Sequence, residues 1–388
     1  MSQTQARGVP QPVPRILHCH STFAAGGKEV RSVRLMNAWG ARLWHSIVSA
    51  DPQAMGAAAL IDREVPVAFL EDFPSLKGKP TPGRLASLAR AMQPYDLVCT
   101  YNWGAMDVVM AHRLFAGAYG LPPLVHHEDG FNEDEAERLK PARNLYRRAA
   151  LGKAARLVVP SALLERIAHE AWHQPAGRVA RISNGIDTAA FASPPDPAAL
   201  PVRKREGEFW VGTLAGLRPV KRLCDLVVAF ASLPPNWQLV ICGEGPERTA
   251  ILAAAAQLGL SARVHLPGAV DPAKVVGLFD IFALSSASEQ FPLSVVEAMA
   301  AGLPVAAPDV GDIAAILAAQ NRAFVTPPGD CQALGAALQA LAADPELRTA
   351  IGAANQTRAR AEFDFAAMLA CYEAVYAKAM GRAFDPRR

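Results

Sequence analysis

Short apolar, β-branched runs alternate with amphipathic stretches along almost the whole chain. The first set lies at Ile16–His20, Ser46–Ala50, Asp96–Thr100, Pro123–His127, Arg156–Pro160 and Val179–Ser183. A second set lies at Phe209–Leu214, Trp237–Cys242, Arg263–Pro267, Asp280–Ser285 and Pro304–Ala307. Runs of about five β-formers separated by helical patterns of about 10–15 residues are the mark of βαβ units, whose parallel strands are covered on both faces. The pattern therefore predicts an α/β protein of two doubly wound parallel-sheet domains. Residues 193–208 are rich in Pro and charge, as linkers are, and separate the two sets. The expected organisation is a first domain over residues 15–195, a second over 207–362, and a C-terminal helix and tail over 363–388. The last helix, Phe365 to Met380, carries an apolar face (Met368, Leu369, Tyr372, Val375, Tyr376) that needs a surface to cover. No repeat of 20–50 residues is present, so a solenoid is not expected.

Length and composition agree with this picture and narrow the function. A chain of 388 residues has room for two cores, and 51% hydrophobic with 19% charged residues is a globular balance. No window of about 18 residues is apolar and uncharged, and residues 1–14 form a Pro- and Gln-containing tail without a signal-type apolar region, so a cytoplasmic protein is expected. Residues 1–200 hold 22 Lys/Arg against 18 Asp/Glu and the remainder 17 against 18, too mild an asymmetry for a protein that tracks nucleic-acid phosphates. The six cysteines lack C-x-x-C or zinc spacing and read as buried thiols of a reducing compartment.

Ligands of open parallel sheets bind at the carboxyl ends of strands, where a tight turn leads into a helix. Three turns are candidates. Ala24-Ala25-Gly26-Gly27-Lys28-Glu29 follows the first strand, and its Gly26 and Gly27 let a backbone approach a ligand. Gly243-Glu244-Gly245-Pro246 follows Trp237–Cys242, with Pro246 placed to open a helix at its first position. Arg248 and Arg263 stand where a dinucleotide fingerprint needs a third Gly and a ribose-binding acid, so the two glycines read first as a tight turn and a nicotinamide or flavin enzyme is disfavoured.

The third turn is the richest. It runs from Ser285 through Glu289, Gln290, Phe291, Pro292, Leu293 and Ser294 to Glu297, with a helix predicted from about Ser294 and Glu297 in its first turn. Backbone amides of Leu293, Ser294 and Val295 would face an anion, and the two carboxylates could hold separate hydroxyl-bearing parts of one ligand. Against this, Ser294-Val295-Val296-Glu297 matches a capping box, and Glu289 reads equally as a solvated loop acid. Arg218 and Lys221, just after strand Phe209–Leu214, supply two cations of the kind that neutralise a diphosphate without metal.

In this order the motifs resemble those of the family 4 glycosyltransferases, retaining enzymes of the GT-B type with two Rossmann-like domains facing across a cleft. The resemblance rests on Ser183-Asn184-Gly185-Ile186-Asp187 with Phe191, Leu217–Lys221, Gly243–Pro246, Val264–Gly268, Glu289 with Glu297-Ala298-Met299-Ala300-Ala301-Gly302-Leu303-Pro304-Val305, and the Gly26-Gly27-Lys28-Glu29 loop. It is close over the second domain and loose over the first. It implies that the last helix packs back on the first domain and that a nucleotide-sugar donor binds chiefly to the second. Glu297 is then expected on the ribose, Glu289 on the donor sugar, Arg218 and Lys221 on the diphosphate assisted by backbone N–H groups around the Phe291-Pro292-Leu293-Ser294 segment, and Leu266-Pro267 beside the base. Thr213 stands where the family usually has an Arg, and Gln290 and Pro292 where many members have Gly. No cofactor and no metal are expected.

The resemblance also implies a His at the end of a first-domain strand, in Leu124-Val125-His126-His127-Glu128-Asp129-Gly130. Alternation sends His126 and His127 to opposite faces, so one faces the site and the other is a core histidine; the sequence leaves the choice open. A metal site on His-His-Glu-Asp lacks a further ligand cluster. The resemblance further implies retention without an enzyme nucleophile, by front-face substitution in which the departing diphosphate oxygen takes the acceptor's proton. The acceptor is expected to be a saccharide or lipid-linked saccharide of envelope or exported polysaccharide synthesis. Residues 138–156 hold seven Lys/Arg and no acid, with Arg143 and Arg147 one turn apart. They read either as a solvated face or as a contact with anionic lipid at the inner membrane. A non-catalytic GT-B module binding nucleotide or glycan, and a Rossmann oxidoreductase, are the rival classes.

Overall fold

The computed structural model describes residues 13–131, 135 and 139–382. The tail up to residue 12, Arg138 of the basic stretch and the last six residues lie outside the described residues. The chain forms two compact units, one comprising Met1–Val159, Glu165–Ala180 and Cys371–Arg388, the other Pro160–Leu164 and Arg181–Ala370.

The first unit is built on strands β1 (Arg15–His20), β2 (Trp44–Ser49), β3 (Val67–Phe69), β4 (Leu97–Tyr101), β5 (Leu124–His127), β6 (Arg156–Val159) and β7 (Val179–Arg181). They lie in the order β3-β2-β1-β4-β5-β6-β7, with β1 parallel to both β2 and β4 and β5 parallel to β4 and β6. Helices α1 (Gly27–Trp39), α2 (Pro82–Met92), α3 (Met106–Tyr119), α4 (Pro141–Ala150) and α5 (Ala162–Glu170) connect them. In the second unit, α6 (Thr188–Ala192) precedes β8 (Phe209–Leu214), β9 (Trp237–Cys242), β10 (Val264–Gly268), β11 (Ile281–Ala283), β12 (Val305–Pro308) and β13 (Val325–Thr326). Their order is β10-β9-β8-β11-β12-β13. The helices here are α7 (Leu223–Phe230), α8 (Arg248–Gln257), α9 (Pro272–Val275), α10 (Leu293–Ala300), α11 (Ile313–Ile316), α12 (Cys331–Ala343) and α13 (Pro345–Glu362); the last helix, α14 (Phe365–Met380), begins in this unit and from Cys371 onward belongs to the first.

Both sheets are doubly wound, as the alternation of apolar runs predicts. All five residues of β4 and all six of β9 are buried, because each sheet is covered on two sides. In the second unit, Val211, Leu239 and Ile281 pack with Leu226 and Leu338 on one face, while Trp210, Val240 and Phe282 pack with Val296 and Met299 on the other. The sequence pattern missed β3 and β13. The first has three residues after Pro66 and the second has two, too few to show an alternation.

Two helix starts differ from expectation. Helix α8 begins at Arg248 with Glu247 as its N-cap, so Pro246 belongs to the preceding turn and not to the first helical position. Helix α10 begins at Leu293 on an N-cap of Pro292, one residue earlier than predicted. The last helix covers the first unit as expected. Tyr372 and Tyr376 are buried there, the Tyr376 ring lies 5.4 Å from Trp39, and Glu373 pairs with Arg42 at 3.0 Å.

Candidate functional site

In sheets of this order the strand sequence reverses direction at one point, and the carboxyl ends of the strands on either side splay apart to leave a crevice. In the second unit that point lies between β8 and β11. The loop after β8 carries Arg218 and Lys221, and the loop after β11 carries Ser285 to Pro292. Topology thus brings together two segments that are some 70 residues apart in the chain.

Backbone and hydroxyl hydrogen bonds join them. Ser285 Oγ donates to the Lys221 carbonyl at 2.9 Å, and the Ala287 amide donates to the Val220 carbonyl at 2.8 Å. At the tip, Lys221 Nζ meets Glu289 Oε1 at 2.5 Å, and Ser286 Oγ donates to the same oxygen at 2.7 Å. Lys221 and Glu289 are therefore adjacent and oriented. Arg218 is exposed in the same loop, without an acidic partner among the described residues.

The capping reading of Ser294 and Glu297 does not hold. With Pro292 as N-cap and no side chain closing the terminus, Ser294 is the second helical residue and the half-buried Glu297 the fifth, and the N-cap proline has no N–H for a capping-box carboxylate to accept from. The amides of Leu293 and Ser294 stand in the first turn of an eight-residue helix, where orphan N–H groups favour an anion. Phe291 is buried and stacks edge-on against Phe363, with ring centres 5.7 Å apart. On β10, Leu266 is nearly buried, Pro267 is half-buried, and Arg248 donates to the Leu266 carbonyl at 2.9 Å.

Gly243 and Gly245 are explained by packing. Both have φ in the region that favours glycine, +142° and +155°, and an added Cβ would lie 1.9 Å from the Ala215 carbonyl oxygen and 2.4 Å from that of Leu217. Their role is to let the turn after β9 lie against the β8 loop. Gly311, which sequence reasoning did not single out, supports the other side: at φ +60° its Cβ would come within 2.2 Å of the Glu289 carbonyl oxygen. A lone Gly after an apolar strand gave no signal in the sequence.

The first unit has its own reversal point, between β1 and β4. Gly26 is the N-cap of α1 with no capping side chain; an added Cβ there would meet the Glu29 carboxylate at 2.9 Å, whereas one at Gly27 would meet nothing within 4 Å, so the open backbone is at Gly27. Lys28 and Glu29 form an ion pair. At the carboxyl end of β5 the two histidines part, as alternation requires. His127 Nδ1 faces the Thr100 carbonyl at 3.2 Å and must donate, so Nε2 accepts from Tyr376 Oη at 3.0 Å. Both nitrogens are thus satisfied, and burial holds its pKa down at about 3.

His126 bonds Thr100 Oγ1 at 2.8 Å through Nδ1, while its buried Nε2 has no hydrogen-bond partner and lies 3.8 Å from Glu128 Oε2. Asp129 pairs with Arg31, Nη2 to Oδ2 at 2.9 Å; burial alone would raise its carboxyl, but the Arg31 charge brings it below the usual range. His20, at the end of β1, is fully buried with neither ring nitrogen bonded, stacked 4.0 Å from Tyr101. Among the described residues no group of three or more His, Cys, Asp or Glu could hold a metal.

The basic stretch is not a uniform exposed face. Arg147 is 1% exposed, ringed by Trp103, Phe131 and Trp172, and paired with Glu128 at 3.2 Å and Glu135 at 3.1 Å. Arg143 pairs with Glu135 at 2.9 Å. The two arginines one turn apart therefore anchor a buried ion network and are not free for a surface. No helix among the described residues is long and apolar enough to cross a membrane.

Comparison with known proteins places this geometry in a family. Residues 201–358 match the family model described as glycosyl transferases group 1, and residues 25–190 match that of glycosyltransferase family 4. The chain is 29% identical over 332 residues to the D-inositol 3-phosphate glycosyltransferase of Thermobispora bispora, 78% of this chain and 77% of that one. It is 29% identical over 218 residues to the GDP-mannose:cellobiosyl-diphosphopolyprenol alpha-mannosyltransferase of Komagataeibacter xylinus, 54% of each. Its fold resembles that of Anabaena HepE, solved in complex with UDP, with a TM-score of 0.74, 22% identity, and 92% of this chain and 97% of that chain covered. Sucrose-phosphate synthase of Thermosynechococcus elongatus has the same fold at a TM-score of 0.74 and 21% identity, with 95% and 99% covered. With both family models matched in order and both sheets wound as GT-B domains, the chain belongs to the group 1 and family 4 glycosyltransferases.

Proposed function

We propose that this enzyme transfers a glycosyl group from a nucleoside-diphosphate sugar, a UDP- or GDP-sugar, to a hydroxyl of a saccharide or lipid-linked saccharide, with retention at the anomeric carbon and without a metal. The observation that carries the reading is the convergence of Lys221 and Glu289 at the reversal point of the second sheet, beside the open first turn of α10. A diphosphate requires fixed positive charge as the glycosidic bond breaks and charge grows on the leaving oxygen. Lys221, Arg218 and the amides of Leu293 and Ser294 supply it, flanked by Phe291 and Pro292. Glu289 then accepts hydrogen bonds from hydroxyls of the donor sugar, Glu297 from those of the ribose, and Leu266-Pro267 lies against the base.

In the first unit, Gly27 offers a backbone amide, and Gly26, whose own amide donates to the Ala24 carbonyl at 2.7 Å, leaves room beside it. His126, whose Nε2 is unpartnered, is the histidine that faces the sugar, and His127 is the core one. Front-face substitution is the step this arrangement serves: the acceptor oxygen forms the new bond on the face from which the diphosphate leaves, and the diphosphate oxygen takes the acceptor proton. A nucleotide donor is supported by the relatives and neighbours named above, one acting with GDP-mannose and one bound to UDP. Envelope or exported polysaccharide synthesis at the cytoplasmic face of the membrane is the expected setting. Retention of the protein by anionic vesicles at physiological salt tests the membrane contact, and no retention removes it.

The decisive experiment is transfer from UDP- and GDP-sugars in the presence of chelator, with Lys221→Ala and Glu289→Gln alongside. We expect metal-free turnover that falls at least about 100-fold in each variant, the cost of removing one preorganised transition-state contact. Full activity in both variants overturns the site. Binding of nucleotide without any turnover would favour a non-catalytic module.

A further inference from the structure

We infer that the first unit carries a separate pocket for an uncharged, apolar aglycone of the acceptor. The inference rests on the proposed transfer reaction. The pocket is an open-mouthed cavity of about 600 Å³ at the carboxyl ends of β2 and β3, bordered by the loop that follows β3. Its volume falls within the range of about 300–1,000 Å³ typical of small-molecule sites. Ala50, Met55, Phe69, Phe73 and Leu76 represent a wall that is mostly aliphatic and aromatic, and Phe69 remains 41% exposed there.

Charge decides the class of occupant. Glu71 is the only ionisable residue among those lining the cavity, and no cation lines it. A phosphate or diphosphate placed here would face that carboxylate with nothing to neutralise it, whereas an alkyl or aryl group only sheds water. The wall is also preformed. Arg84 donates to the carbonyls of Ser75 at 3.1 Å and Leu76 at 2.5 Å and pairs with Asp107 at 2.6 Å, so the loop is held from behind by a cation already committed.

Position separates this pocket from the reacting hydroxyl. Between β2 and β5 lie β1 and β4, so at about 4.8 Å per strand the pocket is roughly 14 Å along the sheet edge from His126. The group filling it is therefore a distal part of the acceptor, and the saccharide spans the interval. An acceptor whose diphosphate adjoins its lipid would not fit. A glycoside of an aliphatic or aromatic alcohol would.

The test measures binding to the full chain of octyl β-D-glucopyranoside below its micellar concentration, methyl β-D-glucopyranoside and octyl phosphate. Each buried methylene strengthens binding about fourfold. We expect the octyl glucoside to bind at least about 30-fold more tightly than the methyl glucoside, and octyl phosphate more weakly than octyl glucoside. Phe73→Ala and the pocket-filling Ala50→Phe should each abolish the octyl preference while leaving UDP or GDP binding unchanged, and Glu71→Gln should strengthen octyl phosphate. Equal binding of the two glucosides, tighter binding of octyl phosphate, or an octyl preference that survives both Phe73→Ala and Ala50→Phe overturns the pocket. The two readings fail separately: octyl-glucoside binding without any glycosyl transfer sinks the reaction, and transfer without an octyl preference sinks the pocket.

Discussion

Mild acid should weaken the first unit well before it affects the second. His18, His20, His45 and His127 are buried and neutral in the folded chain. Burial lowers the proton affinity of each, bringing His45 and His127 to about 3. In the unfolded chain a histidine titrates near about 6.5. Between these values the unfolded chain binds protons that the folded chain does not, so the stabilisation is complete above pH 6.5 and is lost as pH falls. At pH 5.5 the loss is about 1.4 kcal/mol for each of His45 and His127, roughly 3 kcal/mol together, and His18 and His20 act in the same direction. Ordinary carboxylates titrate lower and add little at this pH. Of the nine histidines only His265 lies in the second unit. Urea unfolding at pH 7.5 and 5.5, with hydrogen exchange read by mass spectrometry to assign each transition, measures the effect. His127→Gln should shrink the pH-dependent loss by about 1.4 kcal/mol, whatever its own cost at neutral pH. A loss below about 1 kcal/mol, or one carried by peptides of the second unit, would refute the burial argument.

Three further outcomes are expected. Tyr376→Phe leaves the buried Nε2 of His127 without its donor, so urea unfolding should show a loss of about 1–3 kcal/mol, with the Trp39 contact retained. Arg147→Met strips Glu128 and Glu135 of their buried partner, and a loss of about 3–5 kcal/mol is expected by the same measurement; a change under about 1 kcal/mol would mean that the network is solvated. Gly243→Ala must displace the Ala215 carbonyl, from which its Cβ would be only 1.9 Å away. Nucleoside diphosphate binding and second-unit stability should therefore fall together, whereas Gly207→Ala, where an added Cβ meets nothing within 4 Å, should leave nucleotide binding intact.

The candidate site was legible wherever a local pattern carries the chemistry. Lys221 and Glu289 could be named because each stands just past an apolar strand, and every parallel strand delivers its carboxyl end to the same edge. Their 2.5 Å contact was not legible, since it depends on β8 and β11 being neighbours, which follows from the reversal of strand order and not from either loop. The capping motif at Ser294 misled for a related reason: four residues fit the box, but the helix starts on Pro292, and one residue of shift removes Glu297 from the cap.

The basic stretch shows the same limit. Seven cations without an acid look like a surface, yet Glu135 and Glu128, which neutralise Arg143 and Arg147, lie outside the window in which the charge was counted. The sequence by itself determined the class of fold, because strand length, helix period and burial on both sheet faces are written in local hydrophobic spacing. It also determined which loops could carry a ligand. Only the tertiary structure shows that His127 has both ring nitrogens bonded while His126 has one without a partner, because the donor that satisfies His127 is Tyr376, 249 residues further along the chain. Hydrogen-bond satisfaction is a property of neighbours in space, and no periodicity along a chain encodes it.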